Sequence, residues 1–314
     1  MARRVLGFIG VMLGFFFIVL GPLLRWYVTP RVEKAPTDVY DEKVAEGEGQ
    51  YFIITEGRLS EPTTIRDISI YKGDPDASSE DVVVIENFSR TIDMDKGADF
   101  NYHLETYVMD RVTGEAVHCC GESPRKEGYT LKLPFHTEKK DYPLYNDGVS
   151  LAFPAVFSGE EEISGLNTYR FVSEVPQTLV GTMAVPGSFV GRPDEATVYP
   201  LRFYQATTTI WVEPTTGAVI KRSQTSEQWL FENVTGVRYD LALITATDNE
   251  ETVSSTAEDV SSQVSQLKII SVYAPIILPI VGVLLLLGGL YLARKGEEGS
   301  SAESSESKAE APAS

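Results

Sequence analysis

Cysteine is nearly absent. The chain has two in 314 residues, and they are neighbours, Cys119 and Cys120, which excludes a framework of long-range disulfides. Histidine is almost as scarce: His103, His118 and His136 are the only three, and none has a companion at ligand spacing, so no metal site is expected. No Gly-x-Ser-x-Gly elbow, phosphate loop, zinc-protease helix or dinucleotide fingerprint occurs. The sequence therefore predicts a protein that is not an enzyme and carries no cofactor. Basic residues are also few, 27 Lys and Arg against 45 Asp and Glu, a net charge of −18. A surface that acidic excludes nucleic acid and anionic headgroups as partners, and favours cationic or neutral-headed ones.

What the chain does have is two long uncharged runs, residues 5–24 and 269–293. At about 1.5 Å per residue the shorter one covers roughly 30 Å, the thickness of a hydrocarbon core. Trp26, Tyr27, Tyr273 and Tyr291 stand where interfacial aromatic rings belong, and Pro275 and Pro279 predict a kink or tilt at the start of the second run. Arg3 and Arg4 precede the first run, and Arg294 and Lys295 follow the second, so both ends are expected in the cytoplasm. The alternative for the first run is a cleaved signal peptide, although no small-x-small site follows it.

The expected layout is a cytoplasmic N-terminus (1–4), a first transmembrane helix (5–27) and an extracytoplasmic β-rich domain (28–248). A membrane-proximal helix (249–268), a second transmembrane helix (269–293) and a disordered acidic cytoplasmic tail (294–314) complete it. The layout predicts a two-pass plasma-membrane protein in contact with membrane lipids.

Between the runs, segments 64–71, 82–92, 102–109, 169–175, 203–212 and 237–243 are rich in Val, Ile, Thr and aromatics and are bounded by turn residues. They predict a mainly β domain, a curved antiparallel sheet or partial barrel with one long helix. Val108-Met109-Asp110-Arg111-Val112-Thr113-Gly114 aligns without gaps on Trp211-Val212-Glu213-Pro214-Thr215-Thr216-Gly217. In each, an acidic residue can bond turn amides and a Gly supplies the positive φ of a tight hairpin. The two stretches are either halves of a duplication or one common hairpin used twice. Asp248 or Asn249 caps the one soluble helix, whose stripe is Val253, Ala257, Val260, Val264 and Leu267.

Two features stand out as candidate sites. Cys119 and Cys120 are adjacent, so the pair is reduced, or closes a strained vicinal disulfide ahead of Gly121, or takes a metal or a second chain. The second is the stretch 179–190, which holds Leu179, Val180, Met183, Val185, Phe189 and Val190 among hinge glycines. A surface connection is normally polar. This one reads as a lid over an apolar ligand cavity, or else as ordinary capping of the core, and the same two readings apply to 131–145. Glu160-Glu161-Glu162 reads as a solvated loop.

Arg3-Arg4-Val5-Leu6-Gly7, Ala35-Pro36-Thr37-Asp38-Val39-Tyr40, Asp110-Arg111-Val112-Thr113-Gly114 leading to Cys119-Cys120-Gly121, Gly165-Leu166-Asn167-Thr168-Tyr169-Arg170-Phe171 and Trp211-Val212-Glu213-Pro214 occur in an order that resembles the actinobacterial porin PorA-like family of cell-envelope membrane proteins. The resemblance covers nearly the whole chain except the tail. It implies a two-helix envelope protein and little about activity. The hairpin is also similar to those of periplasmic lipoprotein carriers, which fold a curved sheet around acyl chains. The layout is similar to that of class B scavenger receptors, which move lipids through a tunnel.

The expectation is non-catalytic binding or transfer of a lipid or other apolar envelope molecule. The alternative is a scaffold that recruits an envelope protein partner. A reporter active only in the cytoplasm should work when fused after Ser314 and fail when inserted at Asp76; activity at both positions would end the two-span reading.

Overall fold

The computed structural model describes residues 2–306; Met1 and residues 307–314 of the expected tail lie outside the described residues. The chain divides into two compact units, one made of residues 1–34 with 263–314 and the other of residues 35–262.

In the first unit, helix α1 (Ala2–Leu23) runs through a π-helical turn (Leu24–Val28) into α2 (Thr29–Val32). After a second π turn (Ile269–Tyr273) comes the long α4 (Ala274–Glu306), which extends past Arg294 into the segment expected to be disordered. Glu and Ala there are good helix formers. Both helical stretches are long and apolar enough to cross a membrane. They pack antiparallel along glycine. A side chain on Gly7 would collide with the backbone of Gly289 and Ala293, on Gly14 with that of Gly282 and Leu286, and on Gly21 with the Pro279 ring. The spacing 7, 14, 21 keeps one face bare, so the backbones meet at van der Waals distance. Phe8, Met12, Phe15, Phe16, Leu284 and Leu287 stay exposed on the outer faces. The proline expectation takes a specific form. Pro275 has no N–H for the carbonyl of Ser271, and Arg25 Nη1 donates to that oxygen instead (3.0 Å).

The second unit is one antiparallel sheet curled into a half-barrel. Its strands are β1 (Tyr40–Ile53), β2 (Arg58–Leu59), β3 (Thr63–Gly73), β4 (Val82–Asp93), β5 (Ala98–Asp110), β6 (Tyr142–Asn146), β7 (Leu151–Ile163), β8 (Leu166–Thr182), β9 (Leu201–Val212), β10 (Val219–Glu232) and β11 (Val237–Asp248). The order is β5-β4-β3-β1-β11-β10-β9-β8-β7-β6, with β2 beside β1. First and last long strands are therefore neighbours, Ala45 opposite Asp248. Gly47 and Gly49 in β1 permit the curl, because a Cβ at either would overlap the Thr245 carbonyl or the Ile65 side chain.

The free edges β5 and β6 are bridged by residues 111–141. Thr106 pairs with Ser123, Met109 with Ala116, Glu115 with Tyr129, and Tyr129 with Leu144. Bridging covers edges that would otherwise present unpaired backbone groups. The two aligned hairpins have one geometry. The Asp110 carboxylate accepts from the Val112 and Thr113 amides (2.9 and 2.7 Å), and that of Glu213 from the Thr215 and Thr216 amides (2.9 and 2.8 Å). Gly114 and Gly217 have φ 78° and 74°. Between them threads the strap Leu131-Lys132-Leu133-Pro134-Phe135, whose Leu133 amide donates to the Gly217 carbonyl (2.8 Å). Leu133 is wholly buried among Tyr142, Leu144, Ala155, Phe171, Ile210 and Val212. This loop caps the core.

Helix α3 (Glu250–Lys268) is capped as expected, with Asn249 Oδ1 accepting from the Thr252 amide (2.9 Å), and all five stripe residues are buried. The Glu160-Glu161-Glu162 run corrects the loop expectation. It lies in β7, where Glu160 meets Lys139 (2.6 Å) and Glu161 accepts from Trp211 Nε1 (2.7 Å). A cation from the connecting segment and a donor from β9 offset the repulsion, so the acidic run extends as a strand.

Gly14→Leu should cost about 2 kcal/mol by overpacking the helix pair. It is read as a lower unfolding temperature of the full chain in detergent, whereas Gly288→Leu, at an open position, should leave that temperature unchanged.

Candidate functional site

Residues opposite one another in a sheet share a face. Tyr71 on β3 stands opposite Asn87 on β4, which stands opposite Glu105 on β5. Across the sheet, Gln224 on β10 stands opposite Thr208 on β9, with Arg222 opposite Ile210. The curl makes these distant strands converge. The charge of Arg222 acts on Tyr71, Tyr107 and Asp147, which come from β3, β5 and the β6–β7 turn. That turn folds inward, and Gly148 fits against the Tyr204 ring only because it lacks a side chain.

The half-barrel thus has a polar centre. The Arg222 guanidinium donates to Gln224 Oε1 (2.9 Å), which also accepts from Thr208 Oγ1 (3.2 Å), and Gln224 Nε2 reaches the Tyr204 hydroxyl (3.4 Å). The backbone amide of Arg222 donates to the Asp248 carboxylate (2.7 Å). Among the described residues no carboxylate makes an ion pair with Arg222, and Asp147 makes no side-chain hydrogen bond or ion pair. Asp147 is exposed to solvent on its turn. Crowding pushes its carboxyl up from the ordinary value; Arg222 and Lys126 pull it back and Glu105 adds to the rise. Burial likewise pushes the Tyr71 hydroxyl up to about 12.

Lys126 closes the centre on the bridged side. It is 1% exposed, pairs with Glu105 (3.2 Å), and lies 4.2 Å over the Tyr107 ring. Its amide donates to Glu122 Oε1 (2.7 Å), and Glu122 Oε2 meets His118 Nδ1 (3.0 Å). Cys119 and Cys120 lie in this turn, both exposed, with their sulfurs at bonding distance and Cys120 at φ 59°. No group of three or more His, Cys, Asp or Glu among the described residues is placed to hold a metal ion.

The six expected lid residues do not share one surface. Leu179 and Val180 belong to β8, Leu179 exposed and Val180 packed by Val175, Tyr204 and Ala206. Met183 is exposed, whereas Val185 and Val190 are buried with Val198 and Leu230. Phe189, in a short 3-10 turn (Gly187–Val190), packs on the Phe52 ring. A groove of about 710 Å³ lies elsewhere, across β1, β11 and β10. Gly47, Gly49, Leu243, Ile244 and Thr245 line it together with Glu46, Glu48 and Glu227.

Sequence reasoning missed Arg222 and Asp147. The available signal was that β10 is polar on both faces, with Arg222, Gln224 and Ser226 alternating with Ser223, Thr225 and Glu227. A strand wet on both sides in the middle of a sheet implies a polar interior.

Lys132, in the strap, has no hydrogen-bond partner for its amine and lies 3.6 Å from the Phe135 ring centre. Burial lowers it to about 7, and Asp110 offsets only part of this. The unfolded chain binds that proton up to about pH 10.5, so stability rises as pH climbs from about 7 towards 10.5. Lys132→Met should raise the unfolding temperature of the full-length protein at pH 6 and give no gain at pH 10. An equal gain at both would show that the amine is not desolvated.

No curated protein matches the chain. The family Porin PorA matches it over residues 6–291.

Proposed function

The chain belongs to the porin PorA family, and from that premise we propose a non-catalytic envelope protein, held in the plasma membrane by two helices with both ends cytoplasmic, whose sheet domain binds or transfers a lipid. The observation that supports the ligand is the groove over β1, β11 and β10. Its size falls in the range of small-molecule sites, and its glycines let a ligand approach the backbone. Leu243 and Ile244 offer apolar contact. The carboxylates of Glu46, Glu48 and Glu227 favour a cationic or neutral headgroup over an anionic one. The lid residues at 179–190 do not enter this reading.

The scaffold reading has its own support. Phe88, Tyr102 and Leu104 lie exposed on β4 and β5, with Leu104 79% accessible on the edge strand, and such a strip suits a protein partner.

Lipids extracted from full-length protein purified in detergent should include a neutral or zwitterionic species at near-equimolar amount by mass spectrometry. Thr245→Trp, at an exposed groove position, should reduce it several-fold while the protein stays monodisperse. No enrichment over an unrelated two-span protein would leave the scaffold reading ahead.

A further inference from the structure

The turn from Cys119 to Glu122 has a backbone form that its residues disfavour. The Glu122 amide donates to the Cys119 carbonyl (3.1 Å), and the two residues between them, Cys120 and Gly121, have φ 59° and 85°. Two successive positive φ values make a turn that Asn-Gly or Asp-Gly normally supplies, and a Cβ of ordinary kind is crowded at the first of them. The disulfide between Cys119 and Cys120 closes a ring over this same residue. The Cα atoms it joins are 3.8 Å apart, closer than a disulfide usually spans, so ring and turn hold each other in place. Both cysteines are exposed, which leaves the ring open to attack from solvent.

Much of the cover on β5 hangs from this turn. One carboxylate oxygen of Glu122 accepts from the Lys126 amide (2.7 Å) and the other meets His118 Nδ1 (3.0 Å). Ser123 exchanges both backbone bonds with Thr106 of β5 (2.8 and 3.2 Å). The Lys126 ammonium donates to the Pro124 carbonyl (3.1 Å) and pairs with Glu105 of β5 (3.2 Å). Four short contacts therefore run from the ring to the edge strand.

We propose that the Cys119–Cys120 ring is a thiol-operated switch: a dithiol opens it, the turn relaxes, and residues 122–126 leave the edge of β5. A thiolate of the dithiol attacks one ring sulfur, and the other leaves as a thiolate and takes up a proton. The second thiol of the reductant, deprotonated, then displaces the mixed disulfide. The products are two cysteine thiols and an oxidised, cyclic reductant, a transfer of two electrons and two protons. A monothiol is a poor substitute, because the freed neighbouring cysteine stands beside the mixed disulfide and expels it. Once the ring is open nothing ties Cys120 to positive φ. The Glu122 carboxylate then loses its alignment on Lys126, and the backbone of Thr106 is uncovered next to the exposed Leu104. Reduction thereby lengthens the unpaired edge of the sheet.

The switch is tested on the full-length protein in detergent by alkylation with N-ethylmaleimide, read as intact mass, and by amide hydrogen exchange, before and after dithiothreitol. Untreated protein should take up no label and reduced protein two. Exchange in 104–108 and 118–128 should quicken at least tenfold on reduction, stay unchanged in the 213–217 hairpin, and slow again after reoxidation with diamide. Cys119→Ser with Cys120→Ser should exchange fast in 118–128 without reductant. Cys119→Ser with Cys120→Asn, which suits positive φ before Gly121, should exchange slowly with or without dithiothreitol. Two labels on untreated protein would overturn the proposal, since no ring would exist. Unchanged exchange after reduction would make the ring an inert staple, and quickening that extends to 213–217 would mean general loosening; either overturns the switch. Fast exchange in the Asn variant would sever the turn from the cover on β5 and overturn it as well.

Discussion

The sheet domain depends on a clasp between three short backbone segments. The Asp110 and Glu213 carboxylates each gather two turn amides, and the strap around Leu133 is held between the hairpins they shape. Everything on the bridged side follows from that seating. Leu133 completes the core cluster with Phe171 and Ile210, and the same connection carries Tyr129 to β6 and Lys126 to Glu105. A curled sheet with both edges free would expose two rows of amides and carbonyls. The clasp spares the fold this without a continuous ladder between β5 and β6.

Much of this was legible in the residues. Runs of Val, Ile, Thr and aromatics bounded by turn residues marked β3, β4, β5, β8, β9 and β11, because branched and aromatic side chains suit a pleated surface. Asn249 and its stripe marked α3, and the Thr-Gly echo marked the two hairpins. Tyr40-Asp41-Glu42-Lys43-Val44-Ala45-Glu46-Gly47 was not legible, although it forms the middle of the sheet. Acidic residues and glycine read as loop by propensity, and only pairing with β3 and β11 makes them a strand. The Glu160 run failed for the same reason. The stretch 179–190 is a different case: its composition is apolar, but periodicity says nothing of where each side chain points once a strand gives way to a 3-10 turn.

The polar centre was invisible because it is assembled by curvature. Arg222 and Tyr71 are far apart in sequence and sit on strands separated by two others, β11 and β1. In a flat sheet they would never meet. Half-buried Arg222 reaches Gln224 there, while Tyr107 and Tyr71 belong to the apolar cluster around Val83 and a second cluster packs around Phe171.

The antiparallel helix pair has a consequence for how the protein can be cut. The sheet domain is spliced into the middle of a helical hairpin, and its own first and last long strands are hydrogen-bonded neighbours. A single proteolytic nick anywhere in residues 35–262 leaves each fragment with one of the two apolar helices. The glycine-packed interface and the β1–β11 ladder hold those fragments together. Release of the domain takes two cuts, one beside each helix, so an isolated cleavage in a loop such as 74–81 marks the chain without freeing it.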